Sequence, residues 1–224
     1  MRWQVFPDAA ALAEAAATMI LAAARASHGA FHLVLAGGRT PQAVYDRLRD
    51  AETDWERWQI YFGDERCLPL ADPGRNDTMA RRAWLGRVPL PRQNIHSIPA
   101  ELGAEEAAER YAEIVQRVRE FDFVLLGLGE DGHTASLFPG NPPGWHESGP
   151  EVLAVREAPK PPAERVSLSA ARLSRARQVL FLVTGESKRD AVRAWRAGAD
   201  IPARHIAPAT GVDVFVDRAA WPET

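Results

Sequence analysis

Short apolar runs alternate with longer amphipathic segments along most of the chain. The runs are rich in Val, Leu, Ile and Phe, which favours strands, whereas the segments between them repeat apolar residues with a helical period. The pattern predicts strands over residues 3–6, 31–36, 58–63, 121–127, 151–157, 165–170, 177–185 and 212–217. It predicts helices over residues 10–26, 40–48, 76–85, 104–120 and 186–196.

Two of the predicted strands, residues 121–127 and 177–185, are apolar on both faces. Strands of this kind belong to parallel sheets that helices cover on both sides. Alternating strands and helices therefore indicate an α/β protein with a mainly parallel sheet. The Pro- and Gly-rich segments at 139–145 and 158–164 do not separate two complete sets of strands, so we interpret them as loops of a single domain over residues 1–224.

Composition narrows the function classes. The 224 residues include 27 basic and 30 acidic side chains without a basic block, which argues against a nucleic-acid surface. Cys67 is the only cysteine, so the chain has neither an internal disulfide nor a cysteine zinc site, and a reducing compartment such as the cytoplasm is expected. Glu14 interrupts the apolar stretch at 10–26, which we interpret as an amphipathic helix capped by Asp8 rather than a signal peptide. We expect no membrane-spanning segment.

The stretch FDFVLLGLGEDGHT at 121–134 contains the glycine spacing G-x-G-x-x-G. A dinucleotide site needs a long helix after these glycines, but only residues 133–138 precede Pro139, and two acidic residues lie where a pyrophosphate would bind. A glycine-permissive loop at the end of a strand could instead present Asp131 and His133 for acid–base chemistry. The alternative is a structural loop in which Asp131 caps the next turn.

A second strand end carries AGGRTP at 36–41. Gly37 and Gly38 permit a tight turn, Thr40 suits the N-cap and Pro41 suits the first helical position. Free amides and the positive end of a helix make an anion site, although a plain strand-to-helix turn has the same sequence features.

Charged residues occur at further strand ends. Asp64, Glu65 and Arg66 follow the strand at 58–63 and could equally be a solvated charge cluster. Lys188 lies in the first turn of a helix, where the helix dipole disfavours a cation unless an anion is nearby. Arg165 begins a strand and could be an edge arginine. Together with the glycine turns, these residues suggest an enzyme for a small phosphorylated substrate.

Four motifs in this order, AGGRTP, FGDER, GLGEDGHTASLFPG and TGESK, resemble those of the 6-phosphogluconolactonases. That family belongs with the glucosamine-6-phosphate deaminases in a superfamily of modified Rossmann folds, so the resemblance implies a three-layer α/β/α architecture. The deaminase loop reads DGHIAFNEP, whereas this chain has DGHTASLFP. The chain departs from the lactonase pattern at Leu68, usually valine, and at Arg75, usually serine, before Asn76.

The resemblance implies hydrolysis of the δ-lactone of 6-phosphogluconate in the oxidative pentose phosphate pathway, without metal or organic cofactor. His133 is then the general base, and Asp131 orients it and favours its charged form. Arg66 balances negative charge on the substrate or intermediate, and Asp64 holds Arg66 or a sugar hydroxyl. The residues implied in substrate and phosphate binding are Gly37, Gly38, Arg39, Thr40, Asn76, Arg165 and Lys188.

Other classes remain as alternatives. An amino-sugar phosphate isomerase/deaminase would need the Asn-Glu-Pro that this loop lacks, and a non-catalytic sugar-phosphate-binding module would need a DNA-binding helix pair that the chain does not show. An NAD-dependent dehydrogenase is disfavoured by the missing helix. We expect a small phosphorylated sugar lactone as partner, no nucleic acid and no membrane; oligomeric state is open, with a monomer favoured.

Overall fold

The computed structural model describes residues 1–140 and 148–222. The strands are β1 (Arg2–Phe6), β2 (Phe31–Leu35), β3 (Trp58–Phe62), β4 (Asp64–Arg66), β5 (Ile95–His96), β6 (Phe123–Gly127), β7 (Val152–Val155), β8 (Arg165–Leu168), β9 (Val179–Val183) and β10 (Val212–Asp217). The α-helices are α1 (Ala9–Ala26), α2 (Arg39–Leu48), α3 (Asn76–Ala80), α4 (Ala104–Val115), α5 (Ala170–Ser174) and α6 (Arg189–Arg196). Most of the loop predicted at 139–145 lies outside the described residues.

Seven strands form one sheet in the order β1-β10-β9-β6-β2-β3-β5, and every neighbouring pair is parallel. The predicted mainly parallel sheet is therefore confirmed. All five residues of β9 are buried, as its continuous apolar sequence indicates. Burying one such Val, Leu or Phe side chain is worth about 1.5–3 kcal/mol. These central strands hold the sheet together, and their carboxyl ends share one edge.

A second, three-stranded antiparallel sheet has the order β4-β8-β7. The strands predicted at 151–157 and 165–170 belong to this second sheet, which the alternation of strands and helices did not indicate. Residues 64–66, interpreted as a loop, form β4 and place Asp64 opposite Ser167 in β8. β8 buries the polar residues Arg165 and Ser167 as well as its apolar residues. The alternation of polar and apolar residues in its sequence therefore does not show which sheet it joins.

The N-terminal helix α1 begins after Asp8, whose carboxylate accepts the Ala11 amide at 2.8 Å, as predicted. By length and composition alone α1 is long and apolar enough to cross a membrane, so the expectation of no such segment is wrong on those two criteria. Its buried face (Leu12, Ala13, Ala16, Ala17, Ile20 and Ala24) belongs to the hydrophobic core. Its contacts with α2 and β10 are those of a core helix.

Several boundaries differ from the predicted ones. The helix predicted over 104–120 ends at Val115, and that over 76–85 is α-helical only to Ala80 before one π turn, Arg81–Leu85. The two-residue strand β5 and the five-residue helix α5 were not predicted, because each is too short for its apolar residues to show a period.

Candidate active site

The loop after β6 folds back on itself and carries the Asp131–His133 pair. The Gly129 amide donates to the His133 carbonyl at 2.7 Å, and Thr134 and Leu137 form an isolated bridge, so no helix follows the glycines. A Cβ on Gly129 would lie 2.0 Å from His133 Nδ1, which no side chain can tolerate. Gly129 therefore allows the imidazole to pack against the loop, and this close approach accounts for part of the dinucleotide-like spacing.

His133 is held by a carboxylate. Its Nδ1 lies 2.5 Å from Asp131 Oδ1, which also accepts the His133 backbone N–H at 3.2 Å. The neutral imidazole that donates from Nδ1 leaves Nε2 as an acceptor. Asp131 thus both orients His133 and closes the turn. It therefore combines the role of a partner in acid–base chemistry with that of a structural loop residue.

Burial lowers the pKa of His133, and the positive charge of Lys160 lowers it further, although the hydrogen bond and charge of Asp131 act in the opposite direction. Burial raises the pKa of Asp131, but the contacts with His133 outweigh it and the net shift is downward. Asp131 therefore favours the charged form of His133, as expected, but burial outweighs this effect and the net shift of the His133 pKa is downward. The neutral, proton-accepting imidazole predominates at neutral pH.

A cleft of about 320 Å³ opens beside His133. Most of the predicted site residues line it: Gly37, Gly38, Asp64, Arg66, Asn76, His133, Arg165 and Lys188. Arg39 and Thr40 lie instead in an adjoining groove of about 590 Å³, which shares Gly37, Gly38 and Lys188 with the cleft. Asp131 reaches the cleft only through its bond to His133.

The start of α2 forms one wall of the cleft. Gly38, with φ of 106°, is the N-cap and the helix begins at Arg39, so the prediction of Thr40 as N-cap is wrong. Thr40 lies inside the first turn, and its Oγ1 is 2.6 Å from Thr184 Oγ1. Since a Cβ at residue 37 would lie 2.0 Å from Asn76 Oδ1, Gly37 is what lets Asn76 approach this turn.

Asp64 is buried and bonded to two side chains. Asn76 Nδ2 donates to Asp64 Oδ1 at 3.1 Å, and Ser136 Oγ donates to Asp64 Oδ2 at 2.6 Å. Arg66 donates instead to the Gly74 carbonyl at 2.5 Å, so the expectation that Asp64 holds Arg66 is wrong. Arg66 Nε is buried without a hydrogen-bond partner among the described residues.

Glu65 is fully buried, so the alternative of a solvated charge cluster fails for it. Its carboxylate accepts the backbone N–H groups of Arg66, Asn76 and Asp77, each at 2.8 Å. Burial raises its pKa to about 7, against the effect of these three donors. Glu65 thereby joins β4 to the first turn of α3 and satisfies helix amides that have no partner within the helix.

Arg75 precedes α3, where the lactonase pattern has serine, and makes no side-chain cap. Its buried guanidinium donates to the Ile98 carbonyl and to Glu101 Oε2, both at 2.8 Å, and lies 3.7 Å from Glu65. Leu68, the other departure, supplies its carbonyl to Arg75 at 3.2 Å. Glu65, not residue 75, accepts the first amides of α3, and Arg75 bonds to the loop behind the cleft.

Arg165 is buried at the cleft, not exposed at a strand edge. Its guanidinium donates to the carbonyls of Pro162 at 3.1 Å, Lys160 at 2.8 Å and Pro161 at 3.3 Å. These bonds hold the segment that brings Lys160 to the cleft wall. Burial lowers the pKa of Arg165.

Lys188 is the N-cap residue of α6, close to its predicted position in a first helical turn. Its Nζ lies 3.9 Å from Glu130 Oε1. Burial lowers its pKa; Glu130 opposes this shift, and Lys160 adds to it through charge repulsion. Two cations, Lys160 and Lys188, therefore act on the same cleft, which favours an anionic ligand there.

Three residues at the site were missed from sequence. Lys160 lies in a segment interpreted only as a loop, Glu65 in a presumed solvated cluster, and Ser136 in a motif where no role was assigned to it. Of these three residues, only Lys160 had a sequence feature that could have drawn attention to it, namely the prolines that surround it. Among the described residues, no group of three or more His, Cys, Asp or Glu is arranged to hold a metal ion.

The fold and this cleft place the chain in a known class of sugar-phosphate enzymes. A family model described as glucosamine-6-phosphate isomerases/6-phosphogluconolactonase matches residues 7–216. The chain therefore belongs to this family, as the sequence motifs predicted.

Individual relatives are lactonases. The 6-phosphogluconolactonase of Streptomyces coelicolor is 39% identical, over 87% of this chain and 82% of its own. The crystal structure of 6-phosphogluconolactonase from Thermotoga maritima superposes with a TM-score of 0.87 at 27% identity, covering 97% of this chain and 99% of that one. A monomeric glucosamine-6-phosphate deaminase matches with a TM-score of 0.86 at 21% identity, covering 98% of each chain, which concerns the fold alone. The predicted three-layer α/β/α fold is confirmed by these neighbours.

Proposed function

We propose that this protein hydrolyses 6-phospho-D-glucono-1,5-lactone to 6-phosphogluconate, a step of the oxidative pentose phosphate pathway. The observation that carries the proposal is the His133 Nδ1–Asp131 contact of 2.5 Å in a cleft that also contains Lys188. Curated relatives named 6-phosphogluconolactonase, at up to 39% identity over most of the chain, support the substrate. The cytoplasm is the proposed location, since a lone cysteine suits a reducing compartment.

His133 acts as the general base of this reaction. Because Nδ1 is bonded to Asp131, Nε2 accepts a proton from the water that attacks the lactone carbonyl. The carbonyl carbon becomes tetrahedral, and its oxygen carries negative charge that the guanidinium of Arg66 balances. The intermediate collapses with cleavage of the bond to the ring oxygen, and His133 returns the proton to that oxygen. Water and these side chains supply all the atoms and proton transfers that the hydrolysis needs.

The phosphate is placed at the other end of the cleft, near the first turn of α2. The backbone N–H groups of Arg39 and Thr40 lie at the positive end of this ten-residue helix, whereas Pro41 has no N–H and the Gln42 N–H donates to the Gly38 carbonyl. Lys188 borders both this turn and the cleft, and Lys160 adds a second positive charge. Arg165 contributes mainly by fixing the Lys160 segment, because two of its three nitrogens already donate to backbone carbonyls.

An amino-sugar phosphate deaminase is the second candidate, since the family includes that activity by its description. In this chain Asp64, a carboxylate that lines the cleft, has a donor on each oxygen, which disfavours it as a proton-abstracting base. Incubation with glucosamine 6-phosphate and assay of released ammonia tests this candidate, and we expect no release.

The decisive experiment follows the disappearance of freshly generated phosphorylated lactone with the purified protein. We expect hydrolysis well above the spontaneous rate, without added NAD and unchanged by EDTA. Hydrolysis no faster than the spontaneous rate would contradict the function, and full loss on chelation would contradict the cofactor-free mechanism.

A further inference from the structure

The side chain of Ser136 has no assigned part in the reaction, yet it is buried against Asp64 at the cleft. Ser136 is 2% exposed and Asp64 is 6% exposed. The hydroxyl donates to Asp64 Oδ2 at 2.6 Å, a length typical of a hydroxyl bonded to a charged carboxylate. Since each residue is buried, this bond replaces the water that would otherwise solvate both groups.

The hydrogen bonds that connect Ser167, Ser136, Asp64 and Asn76 each have an assignable direction. Ser167 Oγ donates to the Leu168 carbonyl at 3.0 Å and so accepts the Ser136 N–H at 3.2 Å. Ser136 uses its one proton on Asp64, and Asn76 donates its amide protons to the carboxylate and carbonyl of Asp64. Both oxygens of the Asp64 carboxylate therefore accept a hydrogen bond from a side-chain donor.

The backbone beside Ser136 is built for this contact. Ala135 has φ of 47°, in the left-handed region that alanine rarely adopts. The bridge between Thr134 and Leu137 closes the same turn around it. A strained residue in an otherwise bonded turn indicates a geometric demand, and here the turn directs the Ser136 hydroxyl at Asp64.

We infer that Ser136 is a positioning residue for substrate recognition: it holds the Asp64 carboxylate, together with Asn76, so that Asp64 accepts a hydrogen bond from one hydroxyl of the sugar lactone. This role rests on the proposed lactonase function. Of the two roles expected for Asp64, it keeps the contact with a sugar hydroxyl; Arg66 donates to the Gly74 carbonyl instead. A carboxylate fixed from two sides offers its remaining lone pairs in one direction, which selects for a hydroxyl at one ring position.

The test compares kcat/KM of the Ser136→Ala variant and of the unmodified protein, on the parent lactone and on lactones that each lack one hydroxyl. The substrates are the 6-phosphorylated gluconolactone and its 2-, 3- and 4-deoxy analogues. For the parent lactone, Ser136→Ala should lower kcat/KM by roughly 10- to 100-fold, the range for a hydrogen bond to a charged group. For one deoxy analogue the variant and the unmodified protein should differ by less than about threefold, because the contact that Ser136 positions is already missing.

The control variant is Ser174→Ala, which removes a serine that donates to the Ala170 carbonyl away from the cleft, and it should leave all four substrates unaffected. Thermal unfolding verifies that each variant is folded, and Ser136→Cys, of similar size with a weaker donor, is used for the comparison if Ser136→Ala does not fold. An equal loss on all four lactones would overturn the positioning role alone. Absence of turnover by the unmodified protein would overturn the lactonase function and this role together.

Discussion

Strands β9 and β8 are both fully buried, but their chemistry is opposite. The five residues of β9 are all apolar, whereas two of the four residues of β8 are Arg165 and Ser167. The apolar strand gains stability from burial itself. The polar strand tolerates burial because each polar group has a partner: Arg165 donates to three carbonyls and Ser167 connects to Ser136. The parallel sheet therefore supplies the framework, and the small antiparallel sheet, together with the loops after β6 and β9, supplies polar side chains that line the cleft.

The comparison implies that stability and catalysis can be changed separately. Substitutions in the parallel sheet should lower the free energy of unfolding without affecting turnover per folded molecule. Substitutions in the loops and small sheet around the cleft should affect turnover first.

The largest effect is expected for His133→Ala. Removing the proton acceptor should lower kcat by on the order of 10²–10⁴ while KM and the unfolding midpoint stay near their original values. Steady-state kinetics and thermal unfolding measure both quantities. His205→Ala is the matched control, because His205 Nε2 lies 2.6 Å from Asp200 in a second His–Asp pair away from the cleft. A folded His133→Ala protein with near-normal kcat would remove His133 from the mechanism.

The opposite pattern is expected for Phe181→Ala in β9. Phe181 is fully buried and packs edge-on against Trp195, so its truncation should cost about 3–5 kcal/mol in the free energy of unfolding. Urea unfolding measures this cost. In conditions where the variant is folded, kcat should be unchanged, and a large loss of kcat there would show that the framework and the site are not separable.

A smaller effect is expected for Lys188→Ala. Loss of one charge partner of the phosphate removes roughly 1.5–3 kcal/mol of binding, which should raise KM by about 10- to 100-fold with little change in kcat. The neighbouring Arg189 pairs with Glu186 and donates to the Ala219 carbonyl, so Arg189→Ala serves as a control for removing a cation. Similar KM values for the two variants would contradict a specific phosphate contact.

The smallest effect is a shift of the pH profile in Asp131→Asn. Asp131 raises the pKa of His133 against the effect of burial, so its neutral replacement should lower that pKa further. Activity requires neutral His133 and falls as pH drops through this pKa; the acid limb of kcat/KM should therefore move to lower pH. The plateau rate should also fall, because the imidazole loses its orienting partner. A shift of the acid limb to higher pH would contradict this electrostatic account.

The amino-acid sequence was sufficient to predict the parallel sheet that forms the framework. The continuous apolar runs that became β6 and β9 predicted a parallel sheet, and the four motifs at its strand ends brought together residues that line one cleft. The N-cap of α1 was predicted from Asp8 because capping depends on neighbouring residues only.

The contacts between motifs could not be predicted. Asp64 and Ser136 are 72 residues apart, and the sequence contains no signal that one hydroxyl reaches that carboxylate. Arg165 was assigned to phosphate on the family resemblance, yet its nearest partners are carbonyls of its own loop. Such contacts depend on tertiary packing, which periodicity and local propensity do not describe.

The buried guanidinium of Arg75 has a consequence for engineering this protein by recombination with its relatives. Arg75 lies near the fully buried Glu65 and is bonded to the partly buried Glu101. Exchange of residue 75 alone for the family's serine would leave a buried carboxylate without its cation, a change that commonly costs several kcal/mol. Positions 65, 75 and 101 should therefore be inherited as a unit, and chimaeras with a crossover anywhere between residues 65 and 101 should fail to fold when the two parents differ at residue 75.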